Sequence, residues 1–411
     1  MTTGMTTPMT VQMTPTAGKR ILLGLTGGIA AFKSAQLVRL LVKAGFDVRV
    51  AMTAAACRFI TPVTLQALSG QAVWTDLWDA RIPDNMGHIE LSRDRDLIVI
   101  APASADFMAK VVHGQADDLL STLCLARDCP LMIAPAMNRQ MWDNAATQRN
   151  VLQLRKDGVL FAGPEAGDQA CGETGMGRML EAEQIFEEIE ACFQPKVLAG
   201  KRVLVTAGPT REPIDPVRAI TNSSSGKMGY AVARAAREAG AQVTLVSGPT
   251  ALAAPAGVKR VDVQSAQQMF DAVRKAVAGA DIFVSVAAVA DYRVASQSAQ
   301  KIKKGERKGM TLELVENPDI LGHVAKLAKP PFCVGFAAET EKLAAHAMQK
   351  RAKKGIPLLA ANLAQHALGA DDNQLTLFDA EGEHRFTRGP KLAQARQLIG
   401  HVAAMLARNK R

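Results

Sequence analysis

One cysteine of this sequence lies among glycines, where a thiol has several possible chemical uses. Cys171 belongs to the segment GDQACGETGMGR, residues 167–178, which contains four glycines and ends in an arginine. The thiol could ligate a metal, pair in a disulfide, attack as a nucleophile, act as an acid, or have no chemical role. The six cysteines include no Cys-x-x-Cys pair, and no histidine lies at metal-finger spacing, which disfavours the first two uses. The segment also shows no base that would activate a nucleophile.

Glycine, hydroxyl and amide residues follow the apolar runs of the first half. TGGIAAFKS (26–34) comes after one run and starts a helical pattern, and hydroxyls occur in AMTAAACRF (51–59) and APASADFMAK (101–110). Ligands of open α/β sheets bind at the carboxyl ends of strands, so together these segments predict a cradle for a mononucleotide such as FMN. Each one alone is explained equally by a turn or a helix cap. Likewise, His88 in GHIEL and Asn138 in APAMN have ordinary structural roles when taken singly.

The second half contains a long polar loop that could hold phosphate. AGPTREPIDPVRAITNSSSGKMG (207–229) contains Gly-Lys before a helical pattern, but Met228 follows where a P-loop has Ser or Thr. Exposed N–H groups of Ser223–Gly226 still predict phosphate binding at the start of the helix. Further on, Asp291 ends an apolar run, and the basic sequence KIKK begins at Lys301. A carboxylate near several positive charges indicates a site for a triphosphate and a metal ion.

Two copies of one pattern must position these residues. GKRILLGLTGG from Gly18 and GKRVLVTAGPT from Gly200 are each followed by a helical pattern and a second β-rich run. The repeat predicts an α/β protein with two doubly wound, mostly parallel-sheet, Rossmann-like domains. We expect a disordered tail over 1–17, domains over 18–190 and 200–411, and a linker over 191–199.

Composition limits the partners. The net charge of +10 favours anionic ligands, but the basic residues are scattered and aromatic residues make up only 4% of the chain, so no nucleic acid is expected. No run of 18 apolar residues occurs, so no membrane span is expected. The amino terminus lacks the charged and apolar regions of a signal peptide. Six thiols without a disulfide pattern indicate a reducing compartment, and we expect a cytoplasmic location.

The combination of first-half motifs resembles the homo-oligomeric flavin-containing cysteine decarboxylases, among them those acting on phosphopantothenoylcysteine. The motifs are TGGIAAFKS, GHIEL, APASA, PAMNRQMW and CGETGMGR. The resemblance implies Cys171 as proton donor, His88 as acid/base and Asn138 as the group that holds the substrate carboxylate. Independently, the four glycines of the segment around Cys171 predict a mobile flap that folds over bound substrate and flavin. The FMN contacts that the resemblance implies are Gly27, Gly28, Ile29, Thr53, Ser104, Ala105 and Ala136. Relatives carry Ser-Ala-Asn-Thr where this chain has Ser-Ala-Asp106-Phe107, so flavin contacts there would involve backbone atoms.

The second-half motifs resemble phosphopantothenate–cysteine ligases. They are RAITNSSSGKMG, AAVADYR, KIKK, NPDI, GFAAET and AAN. The resemblance implies that Asn222 and Lys301 are catalytic and that Asp291 binds Mg2+. The CTP contacts it implies are Ser285, Val286, Ala287, Asp291, Lys301, Pro318, Asp319, Ile320, Leu321, Phe336, Lys350 and Lys354.

The order of the two halves is similar to that of fused bifunctional enzymes of coenzyme A synthesis. The resemblance implies ligation of L-cysteine to 4′-phosphopantothenate through an acyl-cytidylate, then FMN-dependent decarboxylation to 4′-phosphopantetheine. It also implies a dodecamer of flavodomain trimers joined by ligase-domain dimers. Two alternatives are a flavin-binding regulatory subunit without turnover and an NAD(P)-linked reductase. The intact set of His88, Asn138 and Cys171 disfavours the first, and the missing G-x-G-x-x-G disfavours the second.

Overall fold

The computed structural model describes residues 17–79, 86–303, 310–339, 341, 343–363, 365 and 369–408. Contacts divide the described chain into two units, one ending at Phe193 and the other beginning at Gln194. Of the predicted disordered tail, residues 1–16 lie outside the described residues. Among the helices of the described chain, none combines the length and apolar character that crossing a membrane requires.

The first unit is built on one parallel sheet. Its strands are β1 Arg20–Leu25, β2 Asp47–Met52, β3 Val73–Trp74, β4 Leu97–Ala103, β5 Leu131–Pro135, β6 Leu160–Phe161, β7 Glu165–Asp168 and β8 Thr174–Arg178. Its helices are α1 Ala31–Lys43, α2 Pro62–Ser69, α3 Gly87–Ser92, α4 Ala105–His113, α5 Leu119–Ala126, α6 Arg139–Asp143, α7 Ala145–Lys156 and α8 Ala182–Cys192. The six-stranded sheet has the order β3-β2-β1-β4-β5-β6 with every pair parallel, while β7 and β8 form a separate antiparallel hairpin.

The strand sequences explain this sheet. All seven residues of β4 are buried, as expected for a strand covered by helices on both faces. Alternate residues of β1 enter different cores, because Ile21 packs with α1 and α8 whereas Leu22 packs with α4 and α5. The chain order reverses between β1 and β4, and that reversal creates a crevice at the carboxyl ends of the strands.

The second unit repeats the arrangement and extends it. Its strands are β9 Arg202–Ala207, β10 Arg211–Pro213, β11 Ala219–Thr221, β12 Gln242–Ser247, β13 Lys259–Asp262, β14 Ile282–Ser285, β15 Tyr292–Val294, β16 Leu314–Glu316, β17 Phe332–Glu339, β18 Leu358–Leu363, β19 Asp372–Asn373, β20 Thr376–Phe378, β21 Glu383–Arg385 and β22 Gly389–Pro390. Its helices are α9 Lys227–Glu238, α10 Ala266–Val277, α11 Ile320–Ala325, α12 Leu343–Lys354 and α13 Lys391–Arg408. The eight-stranded sheet has the order β13-β12-β9-β14-β17-β18-β20-β21.

The six strands from β13 to β18 in this second sheet are parallel to one another. Strand β20 pairs antiparallel with β18, and β21 pairs antiparallel with β20. Helices α9 and α13 pack on one face, and α10, α11 and α12 pack on the other. The predicted fold class, an α/β protein with two mostly parallel sheets, is confirmed.

Candidate active sites

The carboxyl edge of the first sheet brings together the residues predicted to bind FMN. Gly27 and Gly28 follow β1, Thr53 follows β2, Ser104 and Ala105 follow β4, and Ala136 follows β5. These four strands are adjacent and parallel, so their ends meet at the reversal of the chain order. The β1 and β4 ends are joined directly, because the backbone N–H of Ser104 donates to Thr26 Oγ1 at 2.9 Å.

The glycine turn after β1 has the shape of a cradle. A Cβ on Gly27 would lie 2.7 Å from Ala55 Cβ, so Gly27 lets the turn after β1 approach the segment after β2. A Cβ on Gly28 would meet nothing within 4 Å, and the side chain of Ile29 is 60% exposed. The turn therefore packs against the sheet on one side and is open on the other, where a flavin would fit.

Hydroxyl groups of the predicted cradle also stabilise local structure. Ser104 Oγ accepts from the backbone N–H of Phe107 at 3.2 Å and caps α4, and Thr53 Oγ1 accepts from that of Ala56 at 3.2 Å. The ring of Phe107 is buried in the core, whereas Asp106 is exposed. Because the ring of Phe107 is packed in the core, its side chain is not exposed to a ligand in the cradle. This agrees with the sequence, where Phe107 replaces the Thr of the relatives' motif and only backbone contacts with flavin are expected.

His88 carries an unsatisfied buried atom. The residue lies in the first turn of α3, and among the described residues its Nδ1 atom is buried without a hydrogen-bond partner. Buried polar atoms are nearly always paired in native proteins. An unpaired imidazole nitrogen is therefore a position where a substrate or cofactor group would be expected.

Asn138 and the segment containing Cys171 lie in one hydrogen-bonded cluster. We call residues 165–178, which comprise β7, β8 and the turn between them, the Cys171 hairpin. The Gln169 side chain of this hairpin accepts from Arg139 N–H at 2.9 Å, and Gln140 Nε2 donates to Glu173 Oε1 at 2.6 Å. Asn138 in turn caps α6, where its Oδ1 accepts from Met141 N–H at 3.0 Å and its Nδ2 donates to Gln140 Oε1 at 2.8 Å.

The thiol lies at the exposed tip of this hairpin. Cys171 is exposed, and its Sγ lies 3.9 Å from Gln169 Oε1 and 3.9 Å from Glu173 Oε2. Close approach of the hairpin to the α6 segment depends on a glycine, since a Cβ on Gly177 would lie 2.5 Å from the Met137 carbonyl oxygen. Arg178, by contrast, donates to Glu181 at 2.5 Å. This ion pair joins the end of the hairpin to the residue that precedes α8.

The residues predicted to bind the nucleotide line a cavity of ≈ 720 Å³ in the second unit. Every one of them except Lys301 is in its wall. They come from the end of β14 and the segment after it, from the segment between β16 and α11, from the start of α11, from β17 and from α12. Ser224, Ser225 and Gly226 also line it at the start of α9. Gly226 adopts a left-handed conformation with φ 78° there and directs the chain into the helix.

Five lysines and three carboxylates line this cavity, so its wall is net positive. The lysines are Lys227, Lys350, Lys353, Lys354 and Lys391, and the carboxylates are Asp291, Glu316 and Asp319. Burial lowers the pKa of Lys350, whose Nζ donates to the Phe336 carbonyl at 3.1 Å. Burial acts to raise the pKa of Asp319, but the ion pair with Lys354 and the N–H of Gly322 outweigh it and lower that pKa.

The sequence did not predict Lys391 or Asn373, two buried residues of the cavity wall. Lys391 begins α13, is 7% exposed, and donates from Nζ to the Ala370 carbonyl. Burial and the nearby charge of Lys227 lower its pKa, while Asp371 opposes the shift. Asn373 is also in the wall and is 3% exposed. Only the buried setting of this lysine marks it as unusual, and that setting requires the packing of α13 and cannot be seen in the sequence.

The predicted catalytic residues of this unit are outside the cavity wall. Asn222 follows β11, its Nδ2 donates to the Ala288 carbonyl at 2.5 Å, and it lines a neighbouring cavity of ≈ 580 Å³ with Arg211 and Arg218. Ala288 also lines the ≈ 720 Å³ cavity, so Asn222 is hydrogen-bonded to a residue of that cavity's wall. Lys301 is exposed and lines neither of these two cavities, and residues 304–309 after it lie outside the described chain.

Asp291 does not belong to a preformed cluster of metal ligands in the described chain. It lines the cavity at the end of the segment after β14. The described residues contain one group of three potential ligands, and it lies elsewhere: Asp379, His384 and His401. There the carboxylate accepts from His384 Nε2 at 3.0 Å and from His401 Nε2 at 2.8 Å. The carboxylate of Asp291 alone would still suit Mg2+, which is commonly bound by one or two carboxylates together with substrate phosphates.

The fold and these sites define a two-domain α/β protein with a candidate ligand site at the carboxyl edge of each sheet. Residues 10–194 match the family described as Flavoprotein, and residues 198–406 match the DNA/pantothenate metabolism flavoprotein C-terminal domain. The chain belongs to the family of bifunctional coenzyme A biosynthesis proteins, CoaBC.

Its relatives resemble it over nearly their whole length. The protein from Vibrio cholerae is 52% identical over 373 residues, which cover 90% of this chain and 94% of the relative. The protein from Escherichia coli K12 is 50% identical over 374 residues, covering 89% and 92%. A solved C-terminal domain of a coenzyme A biosynthesis bifunctional protein is 38% identical, with a TM-score of 0.45, and covers 52% of this chain and 98% of that domain.

Proposed function

We propose that the second unit joins L-cysteine to 4′-phosphopantothenate with CTP, and that the first unit decarboxylates the product with FMN. The chain is a bifunctional enzyme of coenzyme A biosynthesis with a flavoprotein decarboxylase half and a ligase half, as its family membership indicates. One observation carries the finer assignment. Residues from separate segments, predicted as nucleotide contacts, line a single cavity that is rich in lysine.

In the decarboxylase half, the proposed roles follow from the hydrogen bonds of each side chain. Asn138 Nδ2 donates one hydrogen to Gln140 and keeps a second for the substrate carboxylate. The unpaired Nδ1 of His88 is available to bind or move a proton at the substrate thiol. Cys171 delivers a proton to the decarboxylated product. FMN in the cradle of the first unit would supply the acceptor and later the donor of a hydride.

In the ligase half, the cavity lysines would stabilise the triphosphate, and the charge that develops on pyrophosphate as it leaves. Lys350, Lys354 and Lys391 are held by hydrogen bonds to protein oxygens, so their charges are oriented before the nucleotide binds. Asn222, which is hydrogen-bonded to Ala288 in the cavity wall, would act on the acyl-cytidylate. Asp291 would hold Mg2+ together with the phosphates, where the ion supplies further positive charge.

The proposal includes the organisation of the chain. The decarboxylase half would span residues 18–190 and the ligase half residues 200–411, joined by 191–199. We further propose a cytoplasmic dodecamer built from decarboxylase trimers and ligase dimers. Analytical ultracentrifugation of the full chain would measure this, and a monomer at micromolar concentration would contradict the assembly.

The first experiment is a visible spectrum followed by a pyrophosphate assay. We expect flavin absorption from the protein as purified, and pyrophosphate release that requires both CTP and 4′-phosphopantothenate. A colourless protein without CTP-dependent release would refute the proposed function. Flavin without release would favour the regulatory subunit instead.

Variants can then be compared within one chain, because each activity is a control for the other. We expect Cys171→Ser to stall decarboxylation at an unreduced intermediate and His88→Asn to block it, with ligation intact in both. Lys301→Gln should impair ligation and spare decarboxylation. Normal product from the Cys171 variant would exclude the proton-donor role, and loss of both activities would indicate misfolding.

A further inference from the structure

The turn between β10 and β11 contains a carboxylate that is buried completely. The side chain of Asp215 is 0% exposed. Its Oδ1 accepts from the backbone N–H of Val217 at 2.9 Å and of Arg218 at 2.8 Å. Its Oδ2 accepts from Arg218 Nε at 3.0 Å and Nη2 at 2.5 Å. The Arg218 guanidinium, with help from these N–H groups, outweighs burial and holds the pKa of Asp215 far below its usual range, so the carboxylate is ionised at neutral pH.

The same ion pair also binds a second segment of the chain. The backbone N–H of Ile302 donates to Asp215 Oδ2 at 3.1 Å, and the carbonyl of Ile302 accepts from Arg218 Nη2 at 2.7 Å. Ile302 is therefore fixed through both its donor and its acceptor. A further bond, from Ser298 N–H to the Ile214 carbonyl at 3.0 Å, attaches the beginning of this segment to the same turn.

This arrangement connects two residues with proposed roles in ligation. Ile302 directly follows Lys301, so holding its peptide limits where the Lys301 side chain can reach. Arg218 directly precedes β11, and Asn222 directly follows it. A strand of only three residues thus separates the cation that holds the Lys301 segment from Asn222.

We propose that Asp215 is a positioning residue for ligation, which acts by holding Ile302 and thereby fixing Lys301 relative to Asn222. The proposal rests on the proposed ligase function. Asp215 itself is outside the walls of both cavities described above and donates nothing to a ligand. Its effect is expected on kcat, since small displacements of a reacting group can reduce a rate about 100-fold.

A double-mutant cycle tests whether Asp215 acts through Lys301. We expect Asp215→Asn to lower the kcat of CTP-dependent ligation by about 10- to 100-fold, with little change in KM for CTP. In the Lys301→Gln background, the same substitution should change the rate less than about twofold, because residues acting as a unit are not additive. An equal loss in both backgrounds, or no loss from Asp215→Asn alone, would overturn the proposal. Single-turnover pyrophosphate release extends the measurement to slow variants.

Asp281→Asn is the matched control. Asp281 also accepts a lysine, Lys201 Nζ at 3.1 Å, and a backbone N–H, Arg202 at 2.8 Å, but it lies at the amino end of β14. We expect this variant to keep the wild-type kcat. A parallel loss of kcat would mean that any broken carboxylate bond in this unit impairs ligation, which would refute a specific role for Asp215.

Two further measurements keep the test informative. If Asp215→Asn fails to fold, Arg218→Lys preserves the charge opposite Asp215 while removing the planar donor to the Ile302 carbonyl, and the same cycle applies. Hydrogen exchange of the segment 298–303 should accelerate in either variant and stay unchanged in Asp281→Asn. If the wild-type chain releases no pyrophosphate, the proposed function fails, whereas exchange protection of Ile302 that depends on Asp215 would still establish the contact.

Discussion

Alanine substitution of Gly177 tests whether the Cys171 hairpin must dock on the α6 segment for decarboxylation. Gly177 has φ 120°, and an added Cβ would lie 2.5 Å from the Met137 carbonyl oxygen and 3.2 Å from that of Asn138. Gly172, at the tip of the same hairpin, has φ 83° and open space around its Cβ position. Alanine at Gly172 costs about 1–2 kcal/mol for its left-handed backbone conformation, and alanine at Gly177, whose φ lies outside the left-handed helical region, costs at least as much. Only the Gly177 variant adds a clash with backbone oxygens, for which overpacking costs about 1–3 kcal/mol.

The difference between the two variants gives the expected magnitude. An extra penalty of about 1–3 kcal/mol would reduce the equilibrium constant for docking by roughly 5- to 150-fold. We therefore expect Gly177→Ala to lose decarboxylase activity by up to that factor relative to Gly172→Ala, with the full loss where the undocked hairpin predominates. Carbon dioxide release and CTP-dependent ligation would be measured on each variant. Equal decarboxylase activities in the two variants would refute the reasoning, and a fall in ligation as well would show general unfolding.

Two other predictions concern the second unit. Lys350→Met should raise KM for CTP about 10- to 100-fold, because hydrogen bonds to charged groups contribute about 1.5–3 kcal/mol. Lys353→Met, on the same helix, is the control variant. Equal increases in KM for the two variants would contradict a special role for the buried Lys350. Stability should fall as the pH drops below 6.5, because burial lowers the pKa of His401 and the unfolded chain then binds the proton more readily than the folded one. Burial acts to raise the pKa of Asp379, but its two histidine partners outweigh burial and lower that pKa, so this carboxylate adds a loss in the same direction at more acidic pH. Melting temperatures between pH 5 and 8 should decline less in His401→Gln, and an unchanged pH slope would refute this assignment.

Local sequence was sufficient to predict the sheets, because their strands are continuous apolar runs that end in small or polar residues. The resemblance to the ligases identified most of the CTP contacts that line the ≈ 720 Å³ cavity, and they lie together because parallel strands bring their carboxyl ends to one edge. Ser285 and Phe336, 51 positions apart, meet there for that reason. Lys391 could not be predicted, because its place in the wall depends on how the start of α13 packs near Ala370.

Contacts between loops were equally invisible to the sequence. The motif containing Lys301 indicated phosphate chemistry, but its backbone is held by an ion pair whose members lie more than 80 positions earlier. A buried Asp in a polar loop has the same local signature as an exposed one. Only the folded chain shows that Asp215 accepts from Ile302.

The exposure of Cys171 offers a way to label one site selectively. It is the one exposed cysteine of the six. Burial raises the pKa of Cys124 to about 12 and that of Cys333 to about 11, and it also raises the pKa of Cys57 and Cys129, which suppresses their reactive thiolate forms. A maleimide dye at low stoichiometry should therefore attach at the hairpin tip, where its fluorescence would report ligand binding near the proposed decarboxylase site. An electrophilic inhibitor could exploit the same accessibility.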